Sequence, residues 1–308
     1  MANITLVLIS NRPSLIYDQM TYIQELNISC ISHMFVCCPN TNLMCPPGWR
    51  HLGKNTECSA TRIYNCITDV ETEYVKLCSD DDIIFSHWIT KAVDFLSVNS
   101  DYSCCQGISY SYGGLRGESF CESVFPSILQ NCSVKRVVQM LVNYGHFFYG
   151  IHRTDVLRHA LKELRSSTTL PIGGGCFELC SALFTVLQGK IFYMKEPAIL
   201  REPSQTRGWF GDLVLMDQSI NLRACIDRVY EILKEKKQTS TLVQTINDLQ
   251  LWIQYFMFKD MWGFDKEKIE YVKKNSTYDV IPANLKTLQV SKKDHMRMSK
   301  IIKTKQMI

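Results

Sequence analysis

The chain has 308 residues, 46% of them hydrophobic and 21% charged. That composition excludes a disordered or fibrous protein and suits one large domain, or one of roughly 200–250 residues with an appendage. The net charge of +4, from 34 basic against 30 acidic residues, is too mild to mark a nucleic-acid binder, and no apolar run approaches the ~18 residues of a transmembrane helix.

The 14 cysteines include several inside apolar runs (Cys37, Cys38, Cys78, Cys104 and Cys105), as buried free thiols are. Met1–Ser10 lacks the basic start and long apolar core of a secretory signal. Together these features predict a reducing, cytoplasmic setting.

In chain order, Ile4 to Ser10 is a continuous apolar run stopped by Ser10-Asn11-Arg12-Pro13, and it reads as a buried parallel strand. Leu15–Leu26 reads as a helix and Met34–Cys38 as a second strand. Residues 41–57, with Pro46-Pro47-Gly48, read as a loop, and Thr61–Cys66 as a strand. Glu73–Ser79 is a strand running straight into Asp80-Asp81-Asp82. From Phe85 the period changes. Phe85, Trp88, Ile89, Ala92, Val93 and Leu96 fall on one helical face, and Tyr102–Tyr110 returns to strand.

Strands alternating with helices predict an α/β fold with a mainly parallel central sheet flanked by helices. Ligands of such sheets bind beyond the carboxyl ends of strands. Ser10-Asn11-Arg12 and Asp80-Asp81-Asp82 both occupy such ends, which assigns them to one site.

Further on, the pattern gives a helix near 134–142, a strand over 147–152, and a helix after the capping Thr154 with apolar Leu157, Ala160, Leu161 and Leu164. Gly173-Gly174-Gly175 precedes an apolar helix over 177–187, and Ile191–Leu200 closes the sheet with one or two strands. Beyond Arg201 the residues 220–236 and 242–259 read as helices. The division is therefore a domain over 1–205 and a helical C-terminal extension over 206–308. The stretch 286–308 holds seven Lys/Arg against Asp294. It reads either as a solvated end or as a peripheral contact with an anionic membrane.

Three adjacent aspartates after a buried strand repel one another unless a cation compensates them. Mg²⁺ and Mn²⁺ prefer carboxylate oxygens together with substrate phosphates. In an extended segment Asp80 and Asp82 project to one side, so the pair could hold a metal that bridges a diphosphate. The competing reading is a solvated acidic turn that caps the helix from Phe85.

The ordered set of motifs resembles bacterial family-2-type GT-A glycosyltransferases, more closely those of surface-polysaccharide loci. Its parts are the strand ending in Asn11-Arg12-Pro13, then Ser79-Asp80-Asp81-Asp82-Ile83, then Cys105-Gln106-Gly107. Tyr149-Gly150-Ile151-His152-Arg153 continuing to Leu157 follows, then Phe177-Glu178-Leu179 and Leu187-Gln188-Gly189-Lys190. The resemblance covers about residues 4–203.

It implies a GT-A fold and inverting transfer of a sugar from a nucleoside-diphosphate donor to a glycan or lipid-linked glycan acceptor. Mn²⁺ or Mg²⁺ would sit on Asp80 and Asp82. Ser10, Asn11, Arg12, Asp80 and Asp81 would lie against the donor. From the residues themselves, Arg153 ends a strand facing the same region and could meet phosphate or acceptor, and Arg201 could neutralise the diphosphate. The general base would be Glu178, in the first turn of a buried helix, with Asp155 as the second candidate.

The chain departs from the pattern at Leu8-Ile9, at Cys38-Pro39-Asn40 and at Leu200-Arg201-Glu202-Pro203, where relatives carry other residues. Two alternatives stand beside the transferase. One is a sugar nucleotidyltransferase, although Ser10–Ser14 lacks the glycine-rich loop expected of it. The other is a non-catalytic sugar-nucleotide-binding module.

Overall fold

A computed structural model describes residues 3–10, 12–39, 42–52, 59–80, 82–112, 120–123, 125–142, 147–167, 174–201 and 215–236. The chain opens with β1 (Ile4–Ile9), α1 (Pro13–Glu25), β2 (Ile31–Cys37), β3 (Trp49–Leu52), α2 (Ser59–Thr68) and β4 (Tyr74–Ser79). After β4 come β5 (Asp82–Ile84), α3 (Ser86–Val98), β6 (Tyr102–Tyr112), β7 (Phe120–Ser123) and α4 (Ser133–Val142). A 3-10 turn (Phe147–Tyr149) leads to β8 (Ile151–Arg153), α5 (Thr154–Ser167), α6 (Gly174–Gln188), β9 (Lys190–Arg201) and α7 (Leu215–Glu235).

The described strands form one nine-stranded sheet in the order β3-β2-β1-β4-β8-β6-β9-β5, with β7 paired to β6. β1, β2, β3 and β4 are parallel, and β6 is parallel to β9. β8 runs antiparallel between β4 and β6, while β5 and β7 pair antiparallel with β9 and β6. β1, β2, β3, β4, β6 and β9 thus run one way and β5, β7 and β8 the other, so the sheet is mixed in pairing while most of its described strands are parallel, as expected.

Alternation along each strand sends side chains to two cores. Val7, Phe35, Val75, Leu77 and Cys104 join apolar residues of α2, α4, α5, α6 and α7 on one face. Leu6, Leu8, Val36, Tyr74, Cys78 and Cys105 join α1 and α3 on the other. β1 and β4 are buried on both faces, which is why they read as unbroken apolar runs rather than as alternation.

Three local expectations are corrected. Residues 61–66 are not a strand but the middle of α2, an amphipathic helix whose Ile63, Cys66 and Ile67 face the sheet. The expected loop over 41–57 contains the edge strand β3. The expected strand over 147–152 is split into the 3-10 turn and β8. In the C-terminal half, Cys225, Ile226, Val229, Ile232 and Leu233 of α7 belong to the same core as α5 and α6. The expected helix over 242–259 and the basic stretch lie outside the described residues. No described helix is long and apolar enough to cross a membrane, and the described cysteines are free thiols, most of them buried.

Candidate active site

β1 and β4 lie side by side in parallel register, with Ile9 opposite Ser79. The next residue of each chain segment, Ser10 and Asp80, therefore leaves the sheet at the same carboxyl edge. Both are buried, at 4% and 5% exposure. Ser10 Oγ donates to Asp80 Oδ2 and accepts the Arg12 backbone N–H at 2.8 Å. The Arg12 guanidinium straddles the carboxylate, with Nη2 on Oδ1 and Nε 3.2 Å from Oδ2.

Arg12 is also the residue before α1, whose first helical position is Pro13. Proline suits that position because its fixed φ matches the helix and it has no N–H to leave unpaired. The positive end of α1 thus opens at this edge, beside a guanidinium and a hydroxyl.

Asp80 and Asp82 do not form a solvated helix cap. Asp82 is 3% exposed, β5 separates the run from α3, and α3 starts after Phe85 without a side-chain cap. Nor do Asp80 and Asp82 belong to one strand. Asp80 sits in a turn, and Asp82 opens β5, which pairs with β9 so that Asp82 lies opposite Arg201. The expectation that Asp80 and Asp82 lie on a single strand is corrected accordingly.

α1 fixes β5 as well. Gln19 Nε2 donates to the Asp82 carbonyl at 2.6 Å, and the Tyr22 hydroxyl donates to Ile84 O at 3.1 Å while accepting Ile84 N–H at 3.2 Å. Burial pushes the Tyr22 phenol well above its ordinary range, so it stays a neutral donor. One helix therefore delivers Arg12 to Asp80 and holds the backbone of Asp82. Asn11, Asp81 and the side chain of Arg201 lie outside the described residues.

Carboxylate oxygens are the right donors for Mg²⁺ or Mn²⁺, but those of Asp80 are engaged within the chain. Both Asp80 oxygens already hold Arg12 or Ser10. Among the described residues no three His, Cys, Asp or Glu side chains converge. The cation that compensates Asp80 is the chain's own arginine.

Glu178 lies in the first turns of α6 and is half-buried. The other end of α6 turns through Gly189 directly into β9, where Lys190 pairs with Tyr102 at the start of β6. The amino end of α6 therefore lies on the carboxyl-edge side of the sheet, the side of Ser10 and Asp80. The Tyr149 hydroxyl donates to Glu178 Oε1 at 3.1 Å.

Arg153 and Asp155 are not brought to this edge. Arg153 pairs opposite Tyr74, at the amino end of β4. Its guanidinium donates to the carbonyls of Tyr102, Leu96 and Asn99 and pairs with Glu73 at 3.0 Å. Asp155 is exposed at the start of α5, where it accepts the Val156 N–H at 2.8 Å. His152 is fully buried and donates from Nε2 to Phe147 O and Phe148 O. Burial lowers its pKa to about 4.

The residues that sequence reasoning missed are Gln19, Tyr22, Tyr149 and Lys76. Gln19 carries a legible signal, because it is a polar residue on the apolar Ile16-Met20-Ile23 face of α1. Lys76 is another, a charge in the middle of an otherwise largely apolar strand.

No protein-family model matches the chain, and no curated protein does. Solved structures do match it. The 1–349 fragment of S. aureus TarS in complex with UDP-GlcNAc superposes with a TM-score of 0.57 at 11% identity, over 88% of this chain and 79% of that one. A longer S. aureus TarS structure gives 0.53 at 10% identity, over 84% of this chain but only 44% of TarS. The chain thus spans less than half the length of that protein. What is shared at such identities is the fold, that of the GT-A nucleotide-sugar transferases.

Proposed function

We propose that this GT-A-fold chain is a glycosyltransferase that moves a sugar from a nucleoside-diphosphate donor to a hydroxyl of a glycan acceptor. The observation that carries the reading is the Ser10–Arg12–Asp80 cluster, with Ser10 and Asp80 buried, beyond the carboxyl ends of β1 and β4. In open α/β sheets that crevice is where ligands bind. The TarS fragment of the same fold is a complex with UDP-GlcNAc, which supports a sugar nucleotide as the donor.

In this reading the donor diphosphate lies over the amino end of α1. The acceptor hydroxyl oxygen attacks the anomeric carbon, the bond from that carbon to the β-phosphate oxygen breaks, and the nucleoside diphosphate leaves. Arg12 and the positive end of α1 meet the negative charge that grows on the leaving group. Glu178 takes the proton of the acceptor hydroxyl, so attack comes from the opposite face and the configuration inverts.

The test is turnover. Purified protein is incubated with UDP-, GDP-, CMP- and dTDP-sugars and an acceptor panel, with added Mn²⁺ or Mg²⁺ and with EDTA. Released nucleotide and glycosylated product are measured by mass spectrometry. Turnover lost in Glu178→Gln supports the reading. Binding without turnover, indifferent to that substitution, marks a sugar-nucleotide-binding module instead.

A further inference from the structure

We infer that Tyr149 is the positioning residue for Glu178, an inference that rests on the proposed role of Glu178 as base. Two adjacent residues of the 3-10 turn meet two adjacent residues of α6. The rings of Phe148 and Phe177 pack edge to face with centroids 5.3 Å apart, and the Tyr149 hydroxyl donates to Glu178 Oε1 at 3.1 Å.

The turn that carries Tyr149 is held from inside the protein. Lys76, 1% exposed, reaches up from the middle of β4, and its Nζ donates to the Tyr149 carbonyl at 2.8 Å. His152 Nε2 is 3.0 Å and 3.1 Å from the carbonyls of Phe147 and Phe148. Gly150 lets the turn lie flat on β6, because a Cβ there would come within 2.7 Å of Cys104 Sγ and 2.8 Å of Cys105 O.

Three independent constraints thus fix the backbone behind one phenol, and that phenol fixes the direction of one carboxylate. A glutamate has three freely rotating side-chain bonds, and a base must meet the acceptor proton within hydrogen-bond reach. A rigid donor on one oxygen limits the directions the carboxylate can take. The packing between turn and helix is supplied by the Phe148–Phe177 pair, and the Tyr149 hydroxyl adds a directional contact to Glu178.

The experiment compares Tyr149→Phe, Glu178→Gln and the double variant, with wild-type protein as reference. Turnover is read on whichever of the UDP-, GDP-, CMP- or dTDP-sugars reacts, and thermal melting is recorded in parallel. Tyr149→Phe keeps the ring and loses the hydrogen bond, so kcat falls about tenfold while KM for the donor stays within about twofold. In the Glu178→Gln background the same substitution changes nothing further, because Tyr149 acts through Glu178.

An equal loss in both backgrounds, or an unchanged kcat in Tyr149→Phe beside an inactive Glu178→Gln, overturns the assignment of Tyr149 alone. Wild-type turnover in Glu178→Gln, or none with any donor, removes the base itself and the inference with it.

Discussion

Replacing Arg12 by alanine tests the electrostatic centre of the site. The Asp80 side chain is 2% exposed and that of Arg12 36%. Removing one partner of a fully buried pair costs about 3–5 kcal/mol, because the other charge is stranded. A fully exposed pair is worth about 0.2–1 kcal/mol. With one partner buried and the other a third exposed, water reaches the vacated side and screens part of the loss, and Ser10 still donates to Asp80. The expected cost is about 2 kcal/mol, near the midpoint of those two ranges. For a unit of this size that lowers the melting temperature by roughly 4–8 °C.

The assay is thermal and urea unfolding of wild type, Arg12→Ala, Asp80→Asn and the double variant. Because the damage in Arg12→Ala is a stranded carboxylate, Asp80→Asn in that background should recover about 1 kcal/mol or more, a clear coupling energy. Additive losses, or an Arg12→Ala melt within about 1 °C of wild type, would show that the guanidinium does not compensate Asp80 and would refute this reasoning.

Other outcomes follow from the same geometry. Asp82→Ala should lower sugar-nucleotide affinity less than Asp80→Ala, because α1 holds the backbone of Asp82 through Gln19; isothermal titration of both variants checks the order. His152 has a folded pKa of about 4 against an ordinary value of 6.5. The unfolded chain therefore binds more protons between those values, and stability is full above about 6.5 and lost as pH falls toward about 4. That contribution amounts to about 2 kcal/mol between about pH 7 and pH 5, seen in urea midpoints and absent in a folded His152→Gln variant. Gly107→Ala should destabilise by about 2–3 kcal/mol, since its Cβ would lie 2.6 Å from Ala198 Cβ and 2.7 Å from the Glu196 carbonyl; denaturant unfolding measures it.

The elements legible in the sequence were those with a strong period or an unbroken apolar run. β1, β4 and α3 are buried as their patterns require. Thr61–Cys66 misled because a six-residue window of mixed apolar residues cannot separate strand from helix, and only the wider Ser59–Thr68 window shows the helical face of α2. The antiparallel course of β8 and the crossing of β5 onto β9 depend on long-range pairing that no local pattern encodes.

At the site, the convergence of Ser10 and Asp80 was legible because strand ends in an α/β sheet share an edge. That Arg12 closes on Asp80 was not, since a surface-type arginine after a strand carries no sign of its partner. Arg153 looked like a phosphate ligand because it ends a strand. β8 is antiparallel, however, so its end is at the opposite edge.

The most direct test of the central claim is a thermal-shift panel of UDP-, GDP-, CMP- and dTDP-sugars on wild type and on Asp80→Ala/Arg12→Ala, each with and without Mn²⁺. One nucleotide class should stabilise the wild type, by about 2.7 kcal/mol at ~100-fold over its Kd, and should leave the double variant unmoved. No shift with any donor, or an equal shift in the variant, would contradict a sugar-nucleotide site at the carboxyl edge of β1 and β4.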